Sequence, residues 1–473
     1  MSPPRPELLY GTARPVALPD YVEEPQWEVK RPARVAPNWW PEGMLEWFAV
    51  SQTALPALLY MPGNQSFRFL IRAGAFVVSL GVWVIWWTAN RKRAPVRHPA
   101  TPWLALAVMT LIAMLAHPDT PSLWAGFGQI ALYVAVLCPL MWAPGYSIDR
   151  RTLIRVLAIL LVCNGINSIV GVLQVYDPTT WLPKEFSAQV QAGRNSLNIM
   201  MYRGPTGRLI ARPPGLFDTP GAVCGPGSVA ALLGLVFFLE PIAGWKRLVA
   251  LAFSAAGMAA IYLSHVRATA VIVVGMIVMY AVMLGIQKQR TRMIRFVTLG
   301  VALGVGAFFL AVFLGGVSVQ ERFFSLFEGD PRDLYYRARG FQVETAFTKL
   351  LVDYPAGSGL ARWGMITSYF DVPLSRRLWA EVQPPAWILD GGIFLFGWYA
   401  MALIFTAIWE LKMVARLYDP EDRRWAAAIV AANFGTLAMV FTFVPFASQI
   451  GVQFWFLEGV LHGAMASRMS RCD

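Results

Sequence analysis

Charge is what this sequence has least of: 14% of its 473 residues are Asp, Glu, Lys or Arg, whereas 56% are hydrophobic. A soluble domain of this length cannot hide that much apolar surface. Histidine and cysteine are scarce too, with four of each. Cys138, Cys163 and Cys224 fall in or beside apolar runs and Cys472 stands near the C-terminus, which leaves no disulfide framework for the long polar connections. No histidine has another beside it, so no His-based metal site is expected. The Pro-rich residues 1–43 contain no apolar core segment, which excludes a signal peptide and leaves a flexible cytoplasmic tail. Basic runs interleaved with aromatics on a soluble domain are missing as well, so nucleic acid is not an expected partner.

What is present is a series of apolar runs near the roughly 20 residues needed to cross a bilayer. They fall at 44–62, 67–87, 101–116, 121–143, 152–176, 217–239, 246–264, 266–287, 295–317, 387–409, 424–447 and 449–467. The expected fold is all-α, a polytopic transmembrane helical bundle of about 12 spans. Charge supplies an independent check. Arg91, Lys92, Arg93 and Arg97; Arg150 and Arg151; Lys246 and Arg247; Lys288, Arg290 and Arg292; and Lys412, Arg416, Arg423 and Arg424 fall in alternate connections. The short connections between them, near Gly63, His117 and Ser448, hold no Lys or Arg. Positive residues stay inside, so both termini are expected in the cytoplasm, and the basic connections are expected to meet anionic lipid. Residues 44–317 then carry nine spans and an outer loop at 177–215, residues 318–388 form a large outer loop, and 389–473 carry three more spans.

The stretch 212–270 is the expected centre. Arg212 precedes Pro213-Pro214-Gly215, which stiffens the chain just before a span, and Asp218 lies near enough to orient it or to cap a helix. Pro220-Gly221 and Gly225-Pro226-Gly227 obstruct a regular helix start, and irregular backbone at membrane depth lines a cavity or is buried. Arg267 is the one basic residue in a short outer connection, where positive-inside bias opposes it; it either snorkels or binds an anion. His265 beside it reads as a cap or interface residue. Arg68 and Arg72, one turn apart, are either interface arginines or part of the same anion site. Asn164, Asn167, Gly171 and Gln174 share a helix face, as glue between helices or as a cavity lining. Of the 177–215 arginines, Arg194, Arg203 and Arg208 read as solvated or uncommitted.

The 318–388 loop contains its own helix. Asp330 reads as N-cap and Pro331 as first residue, with a stop before Pro355. Arg332, Tyr336 and Arg339 recur at i, i+4 and i+7, with Arg337 beside them, a set suited to phosphate and sugar. A plain surface helix satisfies the pattern equally. YPAGSGLARWG follows, a Gly-rich turn with Arg362 whose backbone N–H groups are free to approach an anion. Glu381, at the return to the membrane, is a candidate general base or an ion-pair partner of Arg376 or Arg377; Asp390 is a second carboxylate nearby.

With these residues in view, the chain resembles the O-antigen ligase and polymerase family of bacterial membrane glycosyltransferases. RPPGLF before a small-residue helix, LSHVRATAV, the YPAGSGLA turn and the AEVQPPAWILDGGIFLFGW re-entry carry the likeness, and LPALLYMPGNQSFRFLIRAGAF resembles the opening of exopolysaccharide polymerase members. The resemblance implies an enzyme of the bacterial inner membrane acting at its periplasmic face. It would transfer a glycan from undecaprenyl diphosphate to an acceptor glycan hydroxyl, with no metal or other cofactor. Arg212 and Arg267 would hold the diphosphate, Arg337, Arg339 and Arg362 would position carrier or glycan, and Glu381 would stand where ligase-type members carry a histidine. That substitution favours a polymerase over a ligase. A flippase and a chain-length regulator are the implied functional neighbours. A transporter of an anionic or lipid-linked substrate is the alternative of another class, and a metal-dependent enzyme is disfavoured because the 61–66 loop has no acids.

Overall fold

The computed structural model describes residues 43–91, 98–146, 148–184, 201–203, 209–327, 330–370, 372–417 and 419–469, all of which belong to one unit, Arg34–Asp473. The expected tail up to residue 42, Lys92, Arg93, Arg97, Arg194, Arg208 and Cys472 lie outside the described residues.

Helix dominates. The one strand pair among the described residues joins β1 (Met201–Arg203) to β2 (Leu209–Ala211), antiparallel, with Tyr202 opposite Ile210. The long helices are α1 (Met44–Ala57), α2 (Arg68–Ala89), α3 (Thr101–Ala113), α4 (Leu123–Trp142), α5 (Arg150–Tyr176), α6 (Cys224–Phe238), α7 (Gly244–Leu263), α8 (Arg267–Ile286) and α9 (Arg290–Gly315). After α10 (Val317–Phe324) and a helical stretch α11 over 331–353 come α12 (Gln383–Arg416), α13 (Pro420–Met439) and α14 (Gln449–Met469).

Each of the expected spans falls on a helix, and among the described residues seven helices are long and apolar enough to cross a membrane: Gln65–Ala89, Leu123–Gly145, Arg150–Tyr176, Gly244–Leu263, Arg267–Ile286, Arg290–Gly315 and Gln383–Arg416. Thr101–Ala116 and Cys224–Phe238 are apolar but shorter. The expected figure of twelve counted five helices that do not meet these criteria. α1 is short, α13 opens on Glu421, Asp422, Arg423 and Arg424, and α14 interrupts its apolar run with Gln453, Glu458 and His462.

The core is built where glycines and small residues let helices touch. α6 lies along α7 and α5, and α7 along α9. A β-carbon on Gly227 would stand 3.0 Å from the Gly257 carbonyl oxygen, so these backbones meet directly. Ser254 adds a hydrogen bond from its hydroxyl to the Ala231 carbonyl at 2.7 Å. A second group packs α14 on α4, α3 on α12 and α8 on α13, around Trp142, Trp387, Trp425 and Trp455.

Ion pairs tie one end together. Arg150 contacts Asp419, Glu421 and Asp422, while Glu240 takes Arg292 and Arg424. The basic connections at Arg150, Arg292 and Arg424 therefore share acidic partners at one end.

The obstruction at Pro220-Gly221 is real but shorter than expected. Turns occupy 220–223, with Gly221 at φ 72°, and α6 begins at Cys224 with Pro226 in its first turn, where a missing N–H costs nothing. α12 is broken within its apolar run: Gly391 and Gly392 leave helical geometry, Gly392 at φ 61° and ψ −150°. The 355–358 turn fills the gap. Ser358 donates its N–H to the Leu389 carbonyl at 2.7 Å, and Ile393 N–H reaches the Pro355 carbonyl at 3.0 Å. A β-carbon on Gly357 would lie 3.0 Å from Gly391 N, so the Gly-rich turn seats backbone against backbone here.

Candidate functional site

Arg212 is held by the chain that follows it. Gln174 clasps Gly215 twice, its Nε2 donating to the Gly215 carbonyl at 2.7 Å and its Oε1 accepting the Gly215 N–H at 2.8 Å. Asn167 Oδ1 accepts from Leu216 N–H at 3.3 Å. Two prolines restrict the backbone between this clasp and Arg212. Asn167 and Gln174 thus fix the strap that carries Arg212.

The Arg212 guanidinium is half-buried and lies over Gly221, whose β-carbon position is 3.6 Å from Nη2. Among the described residues it makes no ion pair and no hydrogen bond. Its surroundings are cationic. Burial weakens its hold on its proton, the Cys224 thiol opposes this, and the Arg322 charge adds to the loss. Arg339 is lowered in the same way by burial and by Arg212. His265 is pushed down to about 4 by burial, Arg322 and Arg212, and is therefore neutral at pH 7.

Arg267 stands on the same group of residues. It is the first residue of α8, just after a turn in which buried His265 takes φ 59°. Arg267 Nη1 donates to Ser325 Oγ at 2.8 Å, Ser325 Oγ donates to the Arg322 carbonyl at 2.8 Å, and Arg322 Nε reaches the His265 carbonyl at 3.5 Å. Tyr262, His265, Arg267, Arg322 and Phe323 surround a hollow of about 20 Å³. Arg212 and Arg267 thus flank the common pair His265 and Arg322. Arg322 was not singled out from the sequence; its one signal is a lone basic residue, sixth in a loop-opening helix.

α11 contributes unevenly. Asp330 caps it as expected, accepting from Arg332 N–H at 2.8 Å, and the helix stops at Asp353. Two π turns, Tyr336–Gly340 and Ala346–Leu350, interrupt its α periodicity, so the i, i+4, i+7 face does not stay together. Arg332, Tyr336 and Arg337 are exposed, whereas Arg339 is half-buried and ion-paired with Glu381. Gln342 braces the pair, its Nε2 donating to Glu381 Oε2 at 3.0 Å and its Oε1 accepting Glu381 N–H at 3.2 Å. Glu381 therefore pairs with Arg339 rather than with Arg376 or Arg377. Arg377 Nε donates to the Val372 carbonyl at 2.8 Å, and the Arg376 carbonyl accepts Arg362 Nε at 2.9 Å. Arg362 also bonds the Ser358 carbonyl at 2.9 Å and stands 3.8 Å from Asp119, so it braces the loop.

Arg68 and Arg72 converge on Asp218, at 2.9 Å through Arg68 Nε and 2.5 Å through Arg72 Nη2. Asp218, expected to orient Arg212 or to cap α6, is instead the buried counter-ion that joins α2 to the strap. Below it opens a cavity of about 270 Å³, lined by Arg72, Asp218, Thr219, Gly225, Pro226, Asn164 and Asn433 among many apolar side chains. The broken backbone does line a cavity, as its irregularity predicts. Arg212 and Arg267 do not line it: Arg267 borders the 20 Å³ hollow, and Arg212 lies over Gly221.

Arg212 lies within the field of Arg322 and Arg339 within that of Arg212, Arg267 reaches Ser325 beside Arg322, and Glu381 pairs with Arg339. Fixed guanidinium groups in a partly dry site bind oxyanions through paired N–H donors. No protein-family model matches the sequence, and no curated protein is detectably similar to it.

Proposed function

We propose that the chain is a polysaccharide polymerase of the inner membrane, with twelve spans, both termini in the cytoplasm and the 318–388 loop in the periplasm. It takes a glycan from undecaprenyl diphosphate and joins it to an acceptor glycan hydroxyl. The observation that carries this reading is Arg212: a half-buried guanidinium without a carboxylate partner among the described residues, pressed against other cations. Such a charge is unfavourable until an anion arrives. A diphosphate supplies it.

In this reading Arg212 and Arg267 hold the diphosphate from two sides of the His265–Arg322 pair, while neutral His265 adds no competing charge. Arg339 sits between two claims, paired with Glu381 and within the field of Arg212. An arriving diphosphate draws Arg339 off Glu381 and leaves that carboxylate as the base. The acceptor oxygen then attacks the anomeric carbon, its proton passes to Glu381, and the bond to the diphosphate oxygen breaks with charge gathering on the arginines. Exposed Arg332, Tyr336 and Arg337 are placed for the glycan.

Attachment to a lipid acceptor by the same chemistry is the ligase reading. The cavity beside Arg72 and Asp218 supports a transport reading instead, since it lies among helices rather than at the loop. The deciding experiment is in vitro turnover of a lipid-linked oligosaccharide by the purified chain in EDTA. Products that lengthen as carrier is consumed support polymerisation. Transfer to lipid core alone supports the ligase, and vesicle uptake without glycosidic product supports transport.

A further inference from the structure

Glu410 of α12 and Glu458 of α14 are buried in the helical core, 2% and 0% exposed, and the polymerase chemistry gives them no task. Within described residues neither has a Lys or Arg at ion-pair distance, and Lys412 and Arg416 of the same helix as Glu410 are exposed. The two carboxyl groups lie against one amide nitrogen, that of Asn433, so two like charges face each other here unless one carboxyl holds a proton. His98 closes the other side of Glu458, with Nε2 2.7 Å from Oε1. The Ala100 N–H donates to His98 Nδ1 at 3.2 Å, so the ring's own proton is on Nε2 and the imidazole is neutral. His462 packs 5.0 Å from the His98 ring, and Trp409 covers both.

Asn433 of α13 reaches in from the third side. Its Nδ2 donates to Glu410 Oε1 at 2.5 Å and stands 3.5 Å from Glu458 Oε2. Its carbonyl oxygen is fully buried and accepts no hydrogen bond among the described residues. A buried acceptor with no donor, beside two carboxyls with no cation, marks a missing positive species. Asn433 also lines the 270 Å³ cavity, which gives that species a route.

We propose that Glu410, Glu458 and Asn433 form an intramembrane proton-binding site, loaded from the cavity. One proton shared by the two carboxyls keeps the pair at a single negative charge. Its release to cavity water leaves two carboxylates facing each other across α12 and α14, so the site senses proton supply through the spacing of these helices. The inference stands apart from the glycan-transfer reading and shares no residue with it.

The test uses the full chain in lipid nanodiscs. A folded state that holds a proton the unfolded chain releases loses stability as pH rises. The wild-type melting temperature is therefore expected to fall as pH is raised, with the folded-to-unfolded ratio dropping up to about tenfold per pH unit while the proton leaves. Glu410→Gln replaces the shared acid by an amide that still donates, so it is expected to keep its stability at neutral pH and lose most of the slope. An unchanged slope in E410Q overturns the proposal. Sodium that raises the melting temperature of the wild type, but not of E410Q, overturns it too and assigns the site to a metal cation. Should E410Q fail to accumulate, infrared difference spectra of the wild type decide: a protonated carboxylic band lost on raising pH supports the site, and no such band at any pH refutes it.

Discussion

Gly215 and Asn167 are packed so closely that no side chain fits between them. A β-carbon on Gly215 would fall inside the contact radius of Asn167 Oδ1, and the glycine holds φ 67°. Gly215→Ala is therefore expected to cost about 1–3 kcal/mol from the backbone alone, with the clash added. Adding Asn167→Ala relieves the clash and not the backbone term. Thermal melts of the single and double variants check this; equal melting temperatures for G215A and the wild type would contradict the clasp. Because the clasp sets Arg212, G215A is also expected to lose transfer activity beyond its loss of folded protein.

Asp218 holds two arginines that are themselves nearly buried, at 6% and 13% side-chain exposure. Removing one partner of a buried ion pair strands the charge left behind, at about 3–5 kcal/mol. Asp218→Asn is expected to lower the melting temperature sharply, and Arg72→Met in the same chain to recover part of the loss. No recovery in the double variant would mean that the pair is not the source.

The seven membrane-length helices were readable because a bilayer demands long apolar runs, and Asp330-Pro331 announced α11 because caps and N1 prolines act over three residues. The break at Pro220-Gly221 was readable for the same local reason. What local chemistry does not encode is partnership across the fold. Arg68 and Arg72 meet an acid about 150 positions away, so interface arginines and core ion-pair arginines look alike in the chain. Glu381 had two arginines beside it in sequence and took Arg339 through a π turn that no periodicity announces. Glu410 and Glu458 were visible as lone acids in apolar runs, and their meaning required seeing α12, α13 and α14 side by side.

His265 gives the site a pH signature. Its folded value, about 4, lies below its ordinary 6.5, so the folded chain binds fewer protons than the unfolded one between those values. This contribution to stability is complete above 6.5 and is lost as pH falls towards 4, at up to about 1.4 kcal/mol per unit. Asn tolerates the left-handed backbone there, so His265→Asn is expected to flatten the acid side of the stability profile. An unaltered acid limb would remove His265 from the account.

Glu381 and Arg339 should behave as a unit in catalysis. Glu381→Gln is expected to lower kcat by about 10²–10⁴ with little change in KM. Arg339→Ala raises KM, because the same guanidinium is claimed by the diphosphate. The double variant is expected to be no worse than E381Q in kcat. Full turnover in E381Q would assign the base elsewhere.

Binding of undecaprenyl diphosphate to the purified chain, followed by native mass spectrometry in EDTA, tests the central claim most directly. The wild type is expected to retain the diphosphate in preference to undecaprenyl monophosphate. Arg212→Ala is expected to lose that preference while its melting temperature holds or rises, since an unpartnered half-buried cation has been removed. An R212A chain that still selects the diphosphate as well as the wild type does would contradict the account.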